Sequence, residues 1–254
     1  MLVKVGCCGF PYGMKKYFEQ FNLVEVQKTF YNLPRLETVT SWREKAPETF
    51  EFTIKAWQVI THPPSSPTWR KAKITISEEK LENYGSLKPT WENLKAWERV
   101  LEVAKALKSK IIVLQTPPSF KLSNENIENV KEFFSRIKRD NFIVAWEPRG
   151  EWNSYEGLKE ILEEYSIVHV VDIFKRMPIL HSKANIAYIR LHGLNGEVNY
   201  KYKYKPEDLR LLTEKLIEIS GKVKVIYVLF NNVYMGEDAK AFKEYCKQYG
   251  LECI

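Results

Sequence analysis

No apolar run in the chain is long enough to cross a bilayer. The longest, such as Ile111, Ile112, Val113 and Leu114, are only a few residues, against the roughly 20 that a spanning helix needs. The first residues, Met-Leu-Val-Lys-Val-Gly-Cys-Cys-Gly-Phe, lack the apolar h-region and small-residue cleavage site of a secretory signal. We therefore expect a cytoplasmic protein with no membrane partner. Cysteine is sparse: Cys7, Cys8, Cys246 and Cys253, with no Cys-x-x-Cys pair. That excludes a zinc ribbon, a thioredoxin-type motif and a disulfide-scaffold miniprotein. No His-Glu-x-x-His, P-loop or Gly-x-Ser-x-Gly motif occurs. No Pro/Gly/Ser linker divides the chain, and glutamine is scarce.

What is present is a well-furnished globular composition. Of 254 residues, 44% are hydrophobic and 28% charged, which supports a sizeable core and argues against disorder. The net charge of +7 favours contact with anions, either small phosphorylated metabolites or nucleic acid. Lysine outnumbers arginine and glutamate is abundant, the lean of heat-adapted proteins. Cys7 and Cys8 read as small buried hydrophobes. Cys246 and Cys253 are close enough in sequence to bridge, but a reducing cytosol predicts them free, with heat-adapted proteins as the exception.

Strand-like and helix-like stretches alternate from end to end. Short β-branched or aromatic runs predict strands at 3–6, 23–27, 50–56, 111–115, 142–147, 167–172, 186–192 and 223–230. Between them the apolar spacing is helical, as in Leu94, Trp97, Leu101, Ala104 and Leu107. Ser123 is placed to cap the helix after strand four. Pro206 and Gly221 bracket another helix, and Gly236 and Gly250 a last one. The sixth crossover, 173–185, is short and holds Pro178, so a turn or two is expected there. Residues 62–89 make a long excursion after strand three. With Trp69, Ile74, Ile76 and Tyr84 it reads as an ordered loop over one face, a candidate lid. Eight strands joined by crossovers predict an α/β fold, a single (β/α)8 TIM-type barrel over residues 1–254. A doubly wound open sheet is the alternative.

Polar residues recur at the C-terminal ends of these strands, the end where barrel enzymes keep their sites. In order they are Gly6; Glu25 and Gln27; Lys55, then His62; Gln115; Glu147 and Arg149; Asp172; Arg190 and His192; and Asn231. Each has a structural reading beside the functional one. Glu25 would pair with a lysine, Lys55 would face solvent, Asp172 would cap a turn, and His192 would be a satisfied core histidine. Their agreement at one end is the signal, because charges inside a barrel are costly without partners. Glu147, His192, Asp172 and Glu25 are the candidate catalytic residues, as bases, acids or proton carriers. Lys55, His62, Gln115, Arg149, Arg190, Tyr200, Tyr204 and Asn231 are the candidate substrate-binding residues. The two arginines are suited to fork onto carboxylate or phosphate. Gly193, Gly196 and Gly236 fall in loops where barrels often hold phosphate. No local ligand spacing supports a metal, and no motif names a cofactor.

Residues 199–205 read Asn-Tyr-Lys-Tyr-Lys-Tyr-Lys. Extended, they put tyrosines on one face and lysines on the other. Two readings stand: a stacking and phosphate-binding strip, or a loop with tyrosines packed and lysines solvated.

These segments resemble the YecE-like family, the domain of unknown function 72. The resemblance rests on Gly6 to Phe10; Val24, Glu25 and Val26 with Thr29, Phe30 and Tyr31; and Lys55, Ala56, Thr61 and His62. It continues through Leu114 to Phe120, Glu147, Arg149, Trp152 and Asp172. It closes on Tyr188 to Gly193, Tyr200, Tyr204 and Phe230 to Asn232. It implies a TIM-type barrel with a signature ring of Glu25, Lys55, His62, Gln115, Glu147, Arg149, Asp172, Arg190, His192 and Asn231. It implies no activity. Phe10 stands where the family has Trp, Gln27 where it has Asn, and the segment after Arg149 lacks the family's His. The expected function is an enzyme using acid/base chemistry on a small anionic, phosphorylated or carboxylated and sugar-like substrate. The alternatives are a nucleic-acid-binding or processing protein and a ligand-binding barrel without turnover.

Overall fold

Short apolar runs buried on both faces form parallel sheets, and these do. The computed structural model describes residues 2–72 and 76–254. Its barrel strands are β1 (Leu2–Cys8), β2 (Leu23–Val26), β3 (Glu51–Lys55), β4 (Ile111–Gln115), β5 (Ile143–Glu147), β6 (Val168–Val171), β7 (Ile186–Leu191) and β8 (Val225–Phe230). They are ordered β2-β3-β4-β5-β6-β7-β8-β1, and β1 pairs back onto β2, which closes an eight-stranded barrel. Every described register is parallel. A ninth strand, β9 (Glu252–Cys253), which the sequence reading lacks, lies beside Leu2 and Val3 of β1.

Several expected strand ends move inward by a residue or two. Gln27 is in helical conformation and opens the helix Lys28–Tyr31, so β2 stops at Val26. Asp172 and His192 stand just beyond β6 and β7 rather than in them. Such end positions free a polar side chain from the strand ladder.

By contacts the chain falls into two compact units. The first holds residues up to Val26, Lys45–Phe52, and everything from Val168 onward. Its outer layer includes the helices Pro206–Ser220 and Met235–Gln248. Pro206 opens the former, where its missing N–H costs nothing, and Gly221 follows its last residue. Met235–Gln248 starts earlier than its glycine suggests. Gly236 sits in its first turn, where a Cβ would come within 3.0 Å of Pro11 and Tyr12. Between β6 and β7 no helix forms among the described residues.

The second unit holds Gln27–Glu44 and Thr53–Ile167, with β4 between β3 and β5. Its helices Trp91–Ala106 and Asn124–Arg136 are capped by Thr90 and Ser123, each accepting from the backbone N–H three residues on. The excursion 62–89 contains a 3-10 turn at Pro67–Lys71 and a short helix at Glu78–Leu81. Ile74 lies outside the described residues. Trp69 donates its indole N–H to the His62 carbonyl at 3.0 Å, and its ring meets that of Tyr84. Gly85, with φ +83°, returns against the same carbonyl, where a Cβ would lie at 2.4 Å. The excursion is therefore anchored next to His62.

Cys246 and Cys253 form a disulfide, which corrects the expectation that they are free. The turn at Gly250, with φ +70°, folds β9 back beside the end of the last helix. The two Cα atoms then stand 6.0 Å apart, within the span a disulfide bridges. Cys7 and Cys8 are buried and free of disulfides. Burial pushes the Cys7 thiol up to about 12. Burial, then the Glu25 charge, raises Cys8 well above its ordinary value. Neither is a thiolate near neutral pH.

Candidate functional site

In the second unit, β3, β4 and β5 end on Lys55, Gln115 and Glu147. Gln115 and Glu147 are register partners. Lys55 does not face solvent. It is buried, donates to Gln115 Oε1 at 2.7 Å, and lies 3.8 Å from the centre of the Phe30 ring. Phe30 and Gln115 thus fix the ammonium by a cation–π contact and a hydrogen bond. Arg149 grips Glu147 through both Nε (2.8 Å) and Nη2 (2.7 Å). His62 is buried, with Nδ1 2.9 Å from the Thr61 hydroxyl and its ring against Phe30. Burial, then the charges of Lys55 and Arg149, lower the His62 imidazole to about 3. The imidazole is thus neutral, under the influence of two cations.

In the first unit, Arg190 and Glu25 are fully buried and paired, Nη2 to Oε1, at 3.0 Å. The partner of Glu25 is this arginine rather than a lysine. Tyr188 donates to Glu25 Oε2 at 2.9 Å. Tyr188 belongs to the segment that carries the family resemblance but is not among the candidate site residues, although alternation along β7 places 188, 190 and 192 on one face. The Tyr188 ring stacks on Tyr227. Tyr227 donates to Glu51 Oε1 at 2.6 Å, and Glu51 also pairs with Lys4. A column of polar groups therefore runs down this unit, with each carboxylate answered by a cation and a tyrosine.

Asp172 accepts the Phe174 N–H on Oδ1 (3.2 Å) and the His192 N–H on Oδ2 (2.9 Å). It caps its turn and holds the end of β7 together. The His192 Nδ1 is 3.7 Å from the same Oδ2, and Lys175 Nζ is 3.4 Å from it. Asp172 thus holds the His192 backbone, with the imidazole nearby but beyond hydrogen-bond distance. Gly193 has φ +83°, and a Cβ there would lie 2.1 Å from the Asn199 carbonyl oxygen. Its N–H donates to the Tyr204 hydroxyl at 2.8 Å.

The strip 199–205 is not extended. Tyr202 N–H donates to Asn199 O at 3.0 Å, closing a turn that breaks the alternation. Tyr204 is buried, and burial, then Asp172, push its hydroxyl upward. Tyr202 bonds Asp208 at 2.7 Å. Tyr200 alone of the three is exposed. Asn231 is half-buried, and its N–H donates to Leu191 O at 2.8 Å. Its neighbour Asn232, part of the resemblance but not a candidate site residue, donates to Asp238 at 2.6 Å and to Tyr202 O at 2.7 Å, pinning this loop. Among the described residues no group of three His, Cys, Asp or Glu side chains is placed to hold a metal ion. No described helix is long and apolar enough to cross a membrane.

Eight parallel strands closed into a barrel, with polar side chains at their C-terminal ends, define the class as a TIM-type (β/α)8 barrel. The family model described as "Protein of unknown function DUF72" matches residues 11–252, and the chain belongs to that family. UPF0759 protein YunF of Bacillus subtilis is 22% identical over 263 residues, 94% of this chain and 87% of that protein. A DUF72 family protein from Thermotoga maritima superposes with a TM-score of 0.71 at 24% identity, covering 97% of this chain and all of that one. One from Enterococcus faecalis gives 0.74 at 21%, covering 98% of both chains. Endonuclease IV from Thermus thermophilus shares the fold more distantly, with a TM-score of 0.50 at 12% identity over 96% of this chain and 99% of that one.

Proposed function

We propose that the protein is an enzyme that binds a small anion and moves protons on it. One observation carries the reading. His62 is held neutral, to about 3, by burial and by Lys55 and Arg149. Two cations acting on a neutral donor or acceptor suit a phosphate or carboxylate. In this reading Lys55 and Arg149 bind the anion, Gln115 positions Lys55, and Glu147 is the base that Arg149 orients. In the first unit, Asp172 holds the backbone of His192, the proton carrier. Arg190 and Glu25 take a positioning role, since both are fully buried and paired with each other.

The test is a thermal-shift and calorimetric screen at low salt against sugar phosphates and sugar acids. A ligand that binds only the folded state raises the melting temperature by mass action. We expect one such class to bind, and Arg149→Ala and Lys55→Ala each to weaken it at least tenfold. If no small anion binds the wild type, the reading fails.

The second reading, nucleic-acid processing, is favoured by the +7 charge and by the fold shared with endonuclease IV. It requires affinity for oligonucleotides that falls steeply with salt. A ligand-binding barrel without turnover is the third reading. It requires that bound ligand be recovered unchanged.

A further inference from the structure

In the first unit, the register of the barrel leaves part of one β1 edge to be covered by something other than a barrel strand. β1 pairs with β8 from Leu2 to Cys7, whereas its described register with β2 begins at Cys7. β9 fills the gap. It pairs with Leu2 and Val3, Val5 N–H donates to Ile254 O at 2.9 Å, and Ile254 N–H donates to Val3 O at 3.0 Å. An open strand edge offers backbone donors and acceptors to other chains, so the strand that covers it decides whether that surface exists. Ile254 also walls a cavity of about 20 Å³. The other sides of the cavity carry Lys4 and Glu51, the ion pair at the foot of the polar column. All these residues belong to the first unit.

The hold on β9 is unevenly divided. Leu251 N–H donates to Cys246 O at 2.9 Å and Gly250 N–H to Lys247 O at 3.1 Å. These are the paired bonds of a helix-ending turn, and they fix the chain as far as Leu251. Beyond it the non-covalent hold is slight. None of Leu251, Glu252, Cys253 and Ile254 is buried, and Glu252 is exposed, so little apolar surface leaves water there. The strand is two residues long, and so short a ladder is marginal by itself. The remaining tie is the disulfide from Cys253 to Cys246. Its two halves differ in setting: Cys246 is fully buried, while Cys253 is partly exposed. An incoming thiolate therefore meets the Cys253 sulfur first.

We propose that the Cys246–Cys253 disulfide is a redox latch that keeps β9 on β1, and that a dithiol reductant opens it. A thiolate of the reductant attacks Cys253 Sγ and forms a mixed disulfide there. The Cys246–Cys253 bond breaks, and Cys246 leaves as a thiolate that takes up a proton. The second thiolate of the reductant then attacks the reductant's own sulfur in the mixed disulfide and releases Cys253, which is protonated in turn. The dithiol ends as a disulfide, having given up two electrons. Residues 252–254 then leave β1, with the turn at Gly250 as the hinge. Opening uncovers the β1 edge at Val3 and Val5 and admits water to the Lys4–Glu51 pair. Reduced Cys246 stays in place as a small buried hydrophobe, so the last helix keeps its packing. Nothing in this device depends on the small-anion reading.

The experiment is hydrogen exchange of the purified full chain, read at single amides by NMR. Three samples are compared: the disulfide form, the same protein reduced with dithiothreitol under native conditions, and Cys253→Ser. After reduction the Val5 and Ile254 amides should exchange about tenfold or more faster relative to the amides of β7 and β8, because the disulfide no longer limits the excursions of β9. Cys253→Ser should show that fast exchange without reductant and no response to it. Reoxidation of the wild type with oxidised glutathione should restore the protection. A rise by one common factor throughout the barrel would make the disulfide a general stabiliser and overturn the latch. Unchanged exchange at Val5 and Ile254 in the reduced form would overturn it too. So would a disulfide that stays closed in dithiothreitol until the chain unfolds.

Discussion

Replacing Arg190 tests whether the buried pair is a structural support. Arg190 and Glu25 are both fully buried, 3.0 Å apart. Arg190→Met keeps much of the side chain's length and removes its charge. Glu25 is then left buried, with the Tyr188 hydroxyl at 2.9 Å as a neutral partner. Removing one member of a buried pair costs about 3–5 kcal/mol, because the other charge stays uncompensated. For a chain of this size each kcal/mol moves Tm by about 2–4 °C, so the expected loss is about 6–20 °C. Tyr188→Phe removes one hydrogen bond to a charged group and should cost less, about 1.5–3 kcal/mol. The double variant Arg190→Met/Glu25→Leu replaces both charges with apolar groups of similar volume. It should recover most of the single variant's loss, as buried pairs replaced whole often do. Urea unfolding followed by circular dichroism reads all four proteins, with shifts in midpoint interpreted only where the slope is unchanged. The reasoning is refuted if Arg190→Met loses less than about 1 kcal/mol, or if the double variant is no more stable than the single.

His62 should shape the acid limb of stability. Its folded pKa, about 3, lies below the unfolded value near 6.5, so the unfolded chain takes up the proton first. Its contribution is complete above about pH 6.5 and falls by up to roughly 1.4 kcal/mol per pH unit down to about 3. His62→Gln should flatten that part of a stability-against-pH curve, and an unchanged slope would contradict the assignment. The Cys246–Cys253 disulfide spans a sequence separation of 7, for which loop-closure entropy gives about 2.5 kcal/mol. Reductant should lower the urea midpoint of the wild type accordingly and leave Cys246→Ser unaffected. Gly193→Ala should destabilise by about 1–3 kcal/mol from its positive φ alone, and more from the crowding at Asn199. Ligand affinity tied to His192 should fall with it. Equal stability of Gly193→Ala and wild type in the same unfolding assay would show that the turn accommodates a side chain.

Much of the fold was legible in one dimension. β4 spans the predicted residues 111–115, and the Ser123 cap and the Pro206 start are local signals that the structure keeps. Other boundaries moved because neighbours outweigh propensity. Gln27 leaves β2 to start a helical turn. Gly236 lies inside a helix rather than before it, and Pro11 and Tyr12 leave no room there for a Cβ. The alternation in residues 199–205 fails at a turn closed by one backbone hydrogen bond. Asn232 is a similar case. Its side chain joins Tyr202 to Asp238 across the chain, and no spacing rule reveals that.

The amino-acid sequence by itself determined the class of fold and the roster of polar strand ends, because both follow from periodicity and from the cost of placing charge in an apolar strand. Tertiary structure alone decided who answers whom. Glu25 meets Arg190 and Tyr188, Lys55 meets Gln115 and Phe30, Arg149 meets Glu147, and Cys246 meets Cys253. These pairings join residues from different strands and loops. Their energies depend on distance and burial, which exist only once the chain has brought them together.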